Sequence, residues 1–367
     1  MPQLDSPFGP CPHRDGIRVL SGARDVARAI DAMRRGWPVA IDGWSFLAIE
    51  TADAGGLAEF DEGAPADLLI SGNRAATLKL TNQRDAQPAE PVMIRRAPWI
   101  DFDRATAIAD PALDLSTPLK GPFQAEPLPP GGASRAALKL ARLAGLLPAL
   151  FARRDGPAEA RIFADDVMAF GAGADLRIVS RARLPTRFAE EAEIVAFRAD
   201  GDTDEHVALI LGTPDDSAPL VRIHSECLTG DALGSLKCDC GPQLAAALAE
   251  IAGSGWGILL YLRQEGRGIG LVNKMRAYAL QDQGFDTVDA NVRLGFADDE
   301  RDFTVAARML EKLPRTRIRL LTNNPRKVAA LEAQGIEVVE RVPLKVGANA
   351  YNQRYLDTKR DRSGHQL

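Results

Sequence analysis

Residues 221–241 read VRIHSECLTGDALGSLKCDCG, and this stretch decides how the chain is read. The apolar run Leu220–His224 predicts a strand, and residues 241–253 predict a helix with Leu244, Leu248 and Ile251 inward. Between them fall Cys227, Cys238 and Cys240 in a C-x10-C-x-C spacing. Soft thiolate ligands favour zinc over magnesium or calcium. A structural zinc closes with four protein ligands, whereas a catalytic one keeps a position for water. No fourth cysteine lies nearby. His224 is the close candidate, and Cys11 or His13 would have to arrive from the other half of the chain. The bland alternative is three cysteines packed as small hydrophobes. Two cysteines alternating around Asp239 in so polar a segment argue against it. With one position open, a zinc-bound water whose pKa is lowered toward neutrality would attack an electrophilic carbon.

Outward from the cysteines, Val207–Leu211 and Gly257–Leu262 read as strands. The latter runs into Gln264-Glu265-Gly266-Arg267-Gly268-Ile269-Gly270, a glycine-rich turn that opens a helix over 270–283. Such a turn lets backbone N–H groups approach an anion, although by itself it is also an ordinary tight connection. No G-x4-G-K-[ST] sequence occurs, so a standard P-loop is excluded. Glu265 suits a base edge and Arg267 a phosphate. The 270–283 helix carries Leu271, Met275 and Tyr278 on one face. Asp298-Asp299-Glu300-Arg301-Asp302 precedes another helix at about 302–313, where acids also suit a helix N-terminus. Arg317–Leu321 reads as a strand. Thr322-Asn323-Asn324-Pro325-Arg326-Lys327 follows, with Asn324 as N-cap, Pro325 in the first turn, Lys327 one turn in and Gly335 closing the helix. One zinc, a carboxylate for a base and several cations for a polyphosphate together suggest a nucleoside triphosphate as substrate.

The chain of 367 residues exceeds one ordinary domain, so two are expected. Its apolar share of 46% suits globular cores, and its net charge of −5 argues against nucleic acid or anionic membrane as bulk partners. With neither a transmembrane run nor a secretory signal in view, a cytoplasmic location is the default expectation. Four cysteines, three of them clustered, fit a metal better than a disulfide framework. In the first half, residues 24–35 predict a helix with Val26, Ile30 and Met33 on one face. Pro38–Ile41, Leu68–Ile70, Ala76–Leu80 and Leu147–Phe151 read as strands, residues 121–132 as a loop and 134–145 as a helix. The fold class is mixed α/β, with a division between 1–180 and 181–367.

Four blocks carry a family resemblance. VRIHSECLTGDALGSLKCDCG (221–241), LRQEGRGIGLVNKMRAYALQDQGFDTVDAN (262–291), GFADDERDF (295–303) and LLTNNPRKV (320–328) closely resemble GTP cyclohydrolase II, from about residue 181 through the closing YLDTKRDRSGH. The resemblance implies a homodimeric enzyme of riboflavin synthesis that hydrolyses GTP to formate, pyrophosphate and 2,5-diamino-6-ribosylamino-4(3H)-pyrimidinone 5′-phosphate, with magnesium on the triphosphate. It implies Cys227, Cys238 and Cys240 as zinc ligands. GTP contacts would come from Arg222, Ile223, His224, Ser225, Glu226, Gln243, Glu265, Gly266, Arg267, Thr287, Thr322 and Lys327. Asp299 would be the proton acceptor, Arg301 the residue the family scheme names as nucleophile toward the α-phosphorus, and Tyr278 a participant in ring opening. A guanidinium is a poor nucleophile, so Arg301 needs deprotonating help or acts as an electrostatic clamp.

The first half resembles 3,4-dihydroxy-2-butanone-4-phosphate synthase more faintly, through AIDAMRRGWPVAID (29–42), DRATAI (103–108) and GGASRAALKLARLAGLLPALF (131–151). That family has an acidic magnesium-binding loop after its first strand and a G-H-T-E motif. Here the corresponding residues are Asp42-Gly43-Trp44-Ser45-Phe46-Leu47 and Gly132-Ala133-Ser134-Arg135. Without the carboxylates and histidine the domain is expected to be catalytically silent. The competing readings are a cyclohydrolase variant with a different product and a nucleotide-binding module with structural zinc. A nucleoside deaminase is excluded because H-x-E…P-C-x-x-C is absent.

Overall fold

The computed structural model describes residues 14–87, 89–171, 175–199, 205–344 and 346. Cys11, His13 and the closing YLDTKRDRSGH lie outside the described residues. Among the described residues the chain builds two seven-stranded sheets, one in each half. The first half runs α1 (Arg14–Arg34), β1 (Val39–Ile41), β2 (Trp44–Ala48), α2 (Ala54–Phe60), β3 (Asp67–Ile70), α3 (Gly72–Thr77) and β4 (Val92–Ile94). It continues through α4 (Phe102–Ala109), β5 (Ala125–Glu126), α5 (Ala133–Leu143), β6 (Ala149–Arg154), β7 (Ala160–Ile162) and α6 (Ala164–Ala169). Its strand order is β5-β4-β3-β6-β2-β1-β7, antiparallel except for the β1–β7 pair. One core packs α1, α5 and α6 on one side of the sheet through Val26, Met33, Leu140 and Val167, and a second gathers Phe60, Leu68, Ile108 and Phe151.

The expected strand at Ala76–Leu80 is instead the end of α3 followed by a 3-10 turn at Leu80–Asn82. Ser71 caps α3 by accepting from the Arg74 N–H, and Arg74 is buried with hydrogen bonds to Ile108 O and Asp114. Those anchors fix one helical turn, which a short apolar run cannot reveal. The strand expected at Leu147–Phe151 lies slightly later, in β6.

The second half runs β8 (Leu176–Arg183), β9 (Ala192–Ala199), β10 (Glu205–Gly212), β11 (Leu220–Ser225), α7 (Cys240–Gly253), β12 (Trp256–Leu262) and α8 (Gly270–Asp282). It closes with α9 (Thr287–Arg293), α10 (Thr304–Lys312), β13 (Arg317–Leu321), α11 (Pro325–Glu332) and β14 (Glu337–Val342). The expected division after residue 180 falls inside β8, which pairs with β9 and buries Leu176 in the second core.

The strand order β14-β13-β11-β12-β10-β9-β8 is parallel from β14 to β12 and antiparallel beyond. The chain leaves β11 through α7 to β12 on one side, and β13 lies on the other. In open α/β sheets a crevice forms at such a switch, beyond the carboxyl ends of the strands. Phe197, Leu260, Ile318 and Leu320 are fully buried beneath it, each worth about 1.5–3 kcal/mol on burial. Among the described residues no helix is long and apolar enough to cross a membrane.

Candidate active site

Three strand ends deliver the site. β11 ends at Ser225, Glu226 and Cys227 follow it, and a π-helical turn over Leu228–Ala232 carries the chain on toward Cys238 and Cys240 at the start of α7. The three sulfurs lie within 4.8 Å of one another, and Cys227 Sγ is 3.7 Å from Cys238 Sγ. A tetrahedral metal with bonds of about 2.3 Å places its sulfurs about 3.8 Å apart, so this spacing suits zinc. Gly230 sits against all three cysteines, where a Cβ would fall 2.8 Å from Cys238 Sγ and 3.0 Å from Cys227 Sγ. Hydrogen bonds with Cys238 and Cys240, and then with Lys274, hold the Cys227 thiol far below its ordinary pKa. That is the thiolate form a metal requires. His224 supplies no fourth ligand. Its Nε2 lies 3.1 Å from both Asp231 oxygens, and its ring stacks on Tyr261. Burial lowers the His224 pKa despite Asp231, leaving a neutral imidazole at pH 7.

β12 ends in the glycine-rich turn. Gly266 and Arg267 both have left-handed backbones, with φ of 63° and 62°. For arginine that conformation costs roughly 1–2 kcal/mol, and strain of this kind concentrates at functional sites. Arg267 Nη1 donates to Asp298 Oδ1 at 3.0 Å. Gly268 packs against Glu300 O, where a Cβ would come within 2.8 Å. The segment Asp298–Asp302 is thus a loop folded onto this turn, since α10 begins only at Thr304. Within it Arg301 Nε and Nη2 donate to the two Asp299 oxygens at 2.7 and 2.6 Å. Burial pushes the Asp299 carboxyl up, but the Arg301 ion pair outweighs it and the net shift is downward.

β13 supplies the third segment. Thr322 Oγ1 accepts from the Asn324 N–H, and Asn324 caps α11 by accepting from the Arg326 N–H. Lys327 is buried and donates to Ile223 O at 2.8 Å. Arg222, on β11, donates to Leu321 O and to Gln243 Oε1. Burial brings its guanidinium down to about 10, still charged at neutral pH. Arg222 Nε and Ser225 Oγ are buried without a hydrogen-bond partner among the described residues. Buried polar atoms are seldom left so, and a ligand is one natural explanation.

These segments line an open cleft of about 1160 Å³, counting the space at its mouth that is open to solvent. It is lined by every expected zinc and GTP residue together with Tyr278 and Arg301. Of the expected site, only Asp299 is absent from the wall; it stands behind Arg301. The expected face of Leu271, Met275 and Tyr278 on α8 is not a buried stripe. Leu271 and Met275 are exposed, and α8 buries Asn273, Lys274, Ala277 and Leu280 instead. Of those three only Tyr278 turns to the site, its hydroxyl 3.3 Å from Thr229 Oγ1, and burial raises its pKa to about 12. Sequence reasoning missed Lys274, whose Nζ donates to Cys227 Sγ at 3.0 Å and to Glu265 Oε1 at 2.8 Å. Its i, i+4 spacing to Tyr278 was the available signal. Also missed was Asp231 as an organiser, accepting from Tyr261 Oη and from the Cys227 N–H.

An α/β sheet whose parallel strand ends hold three convergent thiols beside a cleft rich in arginine and lysine defines a metal-site protein built for an anionic ligand. The family model for GTP cyclohydrolase II matches residues 177–343. A GTP cyclohydrolase-2 of Azospirillum brasilense is 44% identical over 366 residues, covering 94% of each chain. That of Azotobacter vinelandii is 60% identical over 190 residues, covering 52% of this chain and 91% of its own. The Shigella boydii relative is 58% identical over 193 residues, covering 52% of this chain and 98% of its own. A solved two domain 3,4-dihydroxy-2-butanone 4-phosphate synthase from A. baumannii aligns over 85% of this chain and 98% of its own at 18% identity, with a TM-score of only 0.27. The chain belongs to the GTP cyclohydrolase II family, and it is a hydrolase of that class.

Proposed function

We propose that the chain converts GTP to 2,5-diamino-6-ribosylamino-4(3H)-pyrimidinone 5′-phosphate, formate and pyrophosphate, the first step of riboflavin biosynthesis. The observation that carries this reading is the placing of three thiols at zinc spacing in the wall of a cleft also lined by Arg222, Arg267, Arg301 and Lys327. Cys227, Cys238 and Cys240 would hold zinc, which when bound supplies the Lewis acidity that activates water near neutral pH. Arg267 and Arg301 are already paired with Asp298 and Asp299, so Arg222 and Lys327 supply the net positive charge facing a triphosphate, which arrives with magnesium as part of the substrate. Glu265 has both oxygens engaged within the protein, one by Lys274 and the Gly266 N–H and the other by the Leu228 N–H. Its main task is then to order the turn. Tyr278, protonated at neutral pH, is placed to hydrogen-bond a group opened beside the thiols.

Asp299 and Arg301 act as a unit. A carboxylate already below its ordinary pKa is a weak base toward a guanidinium, which favours the clamp over a covalent role for Arg301. Exposed Leu228, Leu233, Leu236, Leu271, Val272 and Met275 occupy two segments tied together by Thr229–Tyr278 and Lys237–Asp282. Such an apolar surface supports a homodimer.

The first domain is silent in this reading. Asp42 and Gly43, with φ of 48° and 81°, form a two-residue hairpin turn closed by the Ile41–Trp44 pair, which leaves no loop for metal-binding acids. Arg135 makes an exposed ion pair with Glu90. Incubation with GTP, zinc and magnesium should release formate, pyrophosphate and the pyrimidine product together. Ribulose 5-phosphate should yield no dihydroxybutanone phosphate. Absence of formate would end the main reading, and synthase product would end the claim of silence.

A further inference from the structure

Lys274 is buried on α8, its side chain 10% exposed, beside a Glu265 side chain 11% exposed. Burying an ammonium costs hydration and rotamer freedom, so it persists where anions compensate it. Two do so here. The ammonium donates to Cys227 Sγ at 3.0 Å and to Glu265 Oε1 at 2.8 Å. The other Glu265 oxygen accepts at 2.7 Å from the N–H of Leu228, the residue directly after Cys227. One carboxylate thus grips both the lysine and the backbone of the cysteine segment. Lysine and carboxylate close a ring around Cys227.

We propose that Lys274 is a positioning residue of the metal centre, holding the Cys227 thiolate in place and offsetting the excess negative charge of a three-thiolate site. The proposal rests on the reading of the three cysteines as zinc ligands. Three thiolates around a dication leave one negative charge in excess, and Glu265 adds a second close by. Lys274 removes one of them. A hydrogen bond to sulfur also draws electron density away from the metal, so the bound ion stays a stronger Lewis acid. Partners outside the ligand set commonly tune a metal in this way, and losing one costs about 10–100-fold in affinity or activity.

The test compares wild type with Lys274→Met, which keeps the apolar stem and loses the ammonium, and Lys274→Arg, which keeps the charge. Chelator competition measures zinc affinity, and the cobalt-substituted proteins are compared by their sulfur-to-cobalt charge-transfer bands. The methionine variant should bind zinc about 10–100-fold more weakly and show a shifted band, with arginine intermediate. A wild-type affinity and spectrum in the methionine variant would overturn the proposal, leaving Lys274 as packing. Should that variant not fold, Lys274→Gln carries the same comparison. A wild type that binds no zinc overturns both this inference and the metal site. A wild type that binds zinc without releasing formate overturns the proposed reaction alone, and the zinc comparison still decides the role of Lys274.

Discussion

Arg301 is presented to the cleft already oriented. Its Nε and Nη2 are taken by Asp299, so Nη1 is left to reach outward. A clamp needs charge and reach, whereas a nucleophile needs the guanidinium itself, and lysine separates the two. Arg301→Lys is expected to lower kcat by about 10²–10³-fold, the usual cost of one stabilising donor, with pyrophosphate still released; complete loss of pyrophosphate with GTP binding intact would restore the covalent role. The pH dependence follows from the same pair. Asp299 titrates below its ordinary 3.8, so its stabilisation is complete above that value and lost only as pH falls through the depressed folded pKa. Thiolates release metal on protonation well before this. The acid limb of activity should therefore track zinc content measured in the same samples, and a limb that falls while zinc is retained would count against this order of events.

Among elements, the π-helical turn over Leu228–Ala232 does what an ordinary turn would not. It brings Gly230 under the three sulfurs, with the Gly230 N–H donating to Cys227 Sγ at 3.3 Å. Gly230→Ala should overpack this point by about 1–3 kcal/mol, seen as a lower Tm and less than one zinc per chain; full zinc content at an unchanged Tm would refute the close packing. Nothing in LTGDA announced this turn, because π-helical geometry has no periodic signature in five residues. Elements with strong local rules were legible instead. Arg317–Leu321 is a strand with the expected limits, and Asn324-Pro325 opens α11 as capping predicts. α8 was legible as a helix but not by face. Its buried residues include Asn273 and Lys274, which the expected face left out, and its exposed ones include leucine and methionine. The three cysteines stood out because clustered thiols are rare and their spacing is short, and the cationic cleft residues stood out as a set only through the blocks that carry the family resemblance. Lys274 was not, because its anions come from two other segments.

At the scale of the molecule, α8 is one of the elements through which the two halves meet, beside the contact of Asn73 with Phe296 O. One side of the helix turns Lys274 and Tyr278 to the cysteines, and the other is fastened to the first half. Asn273 Nδ2 donates to Gly145 O at 3.0 Å, and Arg276 reaches Asp110 and Glu50 at 2.9 Å each. Around them Leu147 joins Ile269, Ala277, Leu280 and Phe296 in one apolar cluster. The first half thus holds the helix that carries Lys274 and Tyr278 to the cleft of the second. The Arg276 side chain is 19% exposed, and those of Glu50 and Asp110 are 12% and 16% exposed, so removing the arginine strands two partly buried carboxylates. Arg276→Ala is therefore expected to cost about 1–3 kcal/mol. The effect should go beyond stability, because a loosened α8 loosens Lys274 and Tyr278 with it. At saturating zinc and well below the melting temperature, kcat should fall several-fold while KM for GTP changes little, since Arg222, Arg267 and Lys327 lie on other elements. The triple variant Glu50→Gln, Asp110→Asn, Arg276→Met removes the stranded charges and should recover much of the stability without recovering kcat. If stability and kcat return together, the interface supports folding alone, and the first domain has no hold on the chemistry of the second.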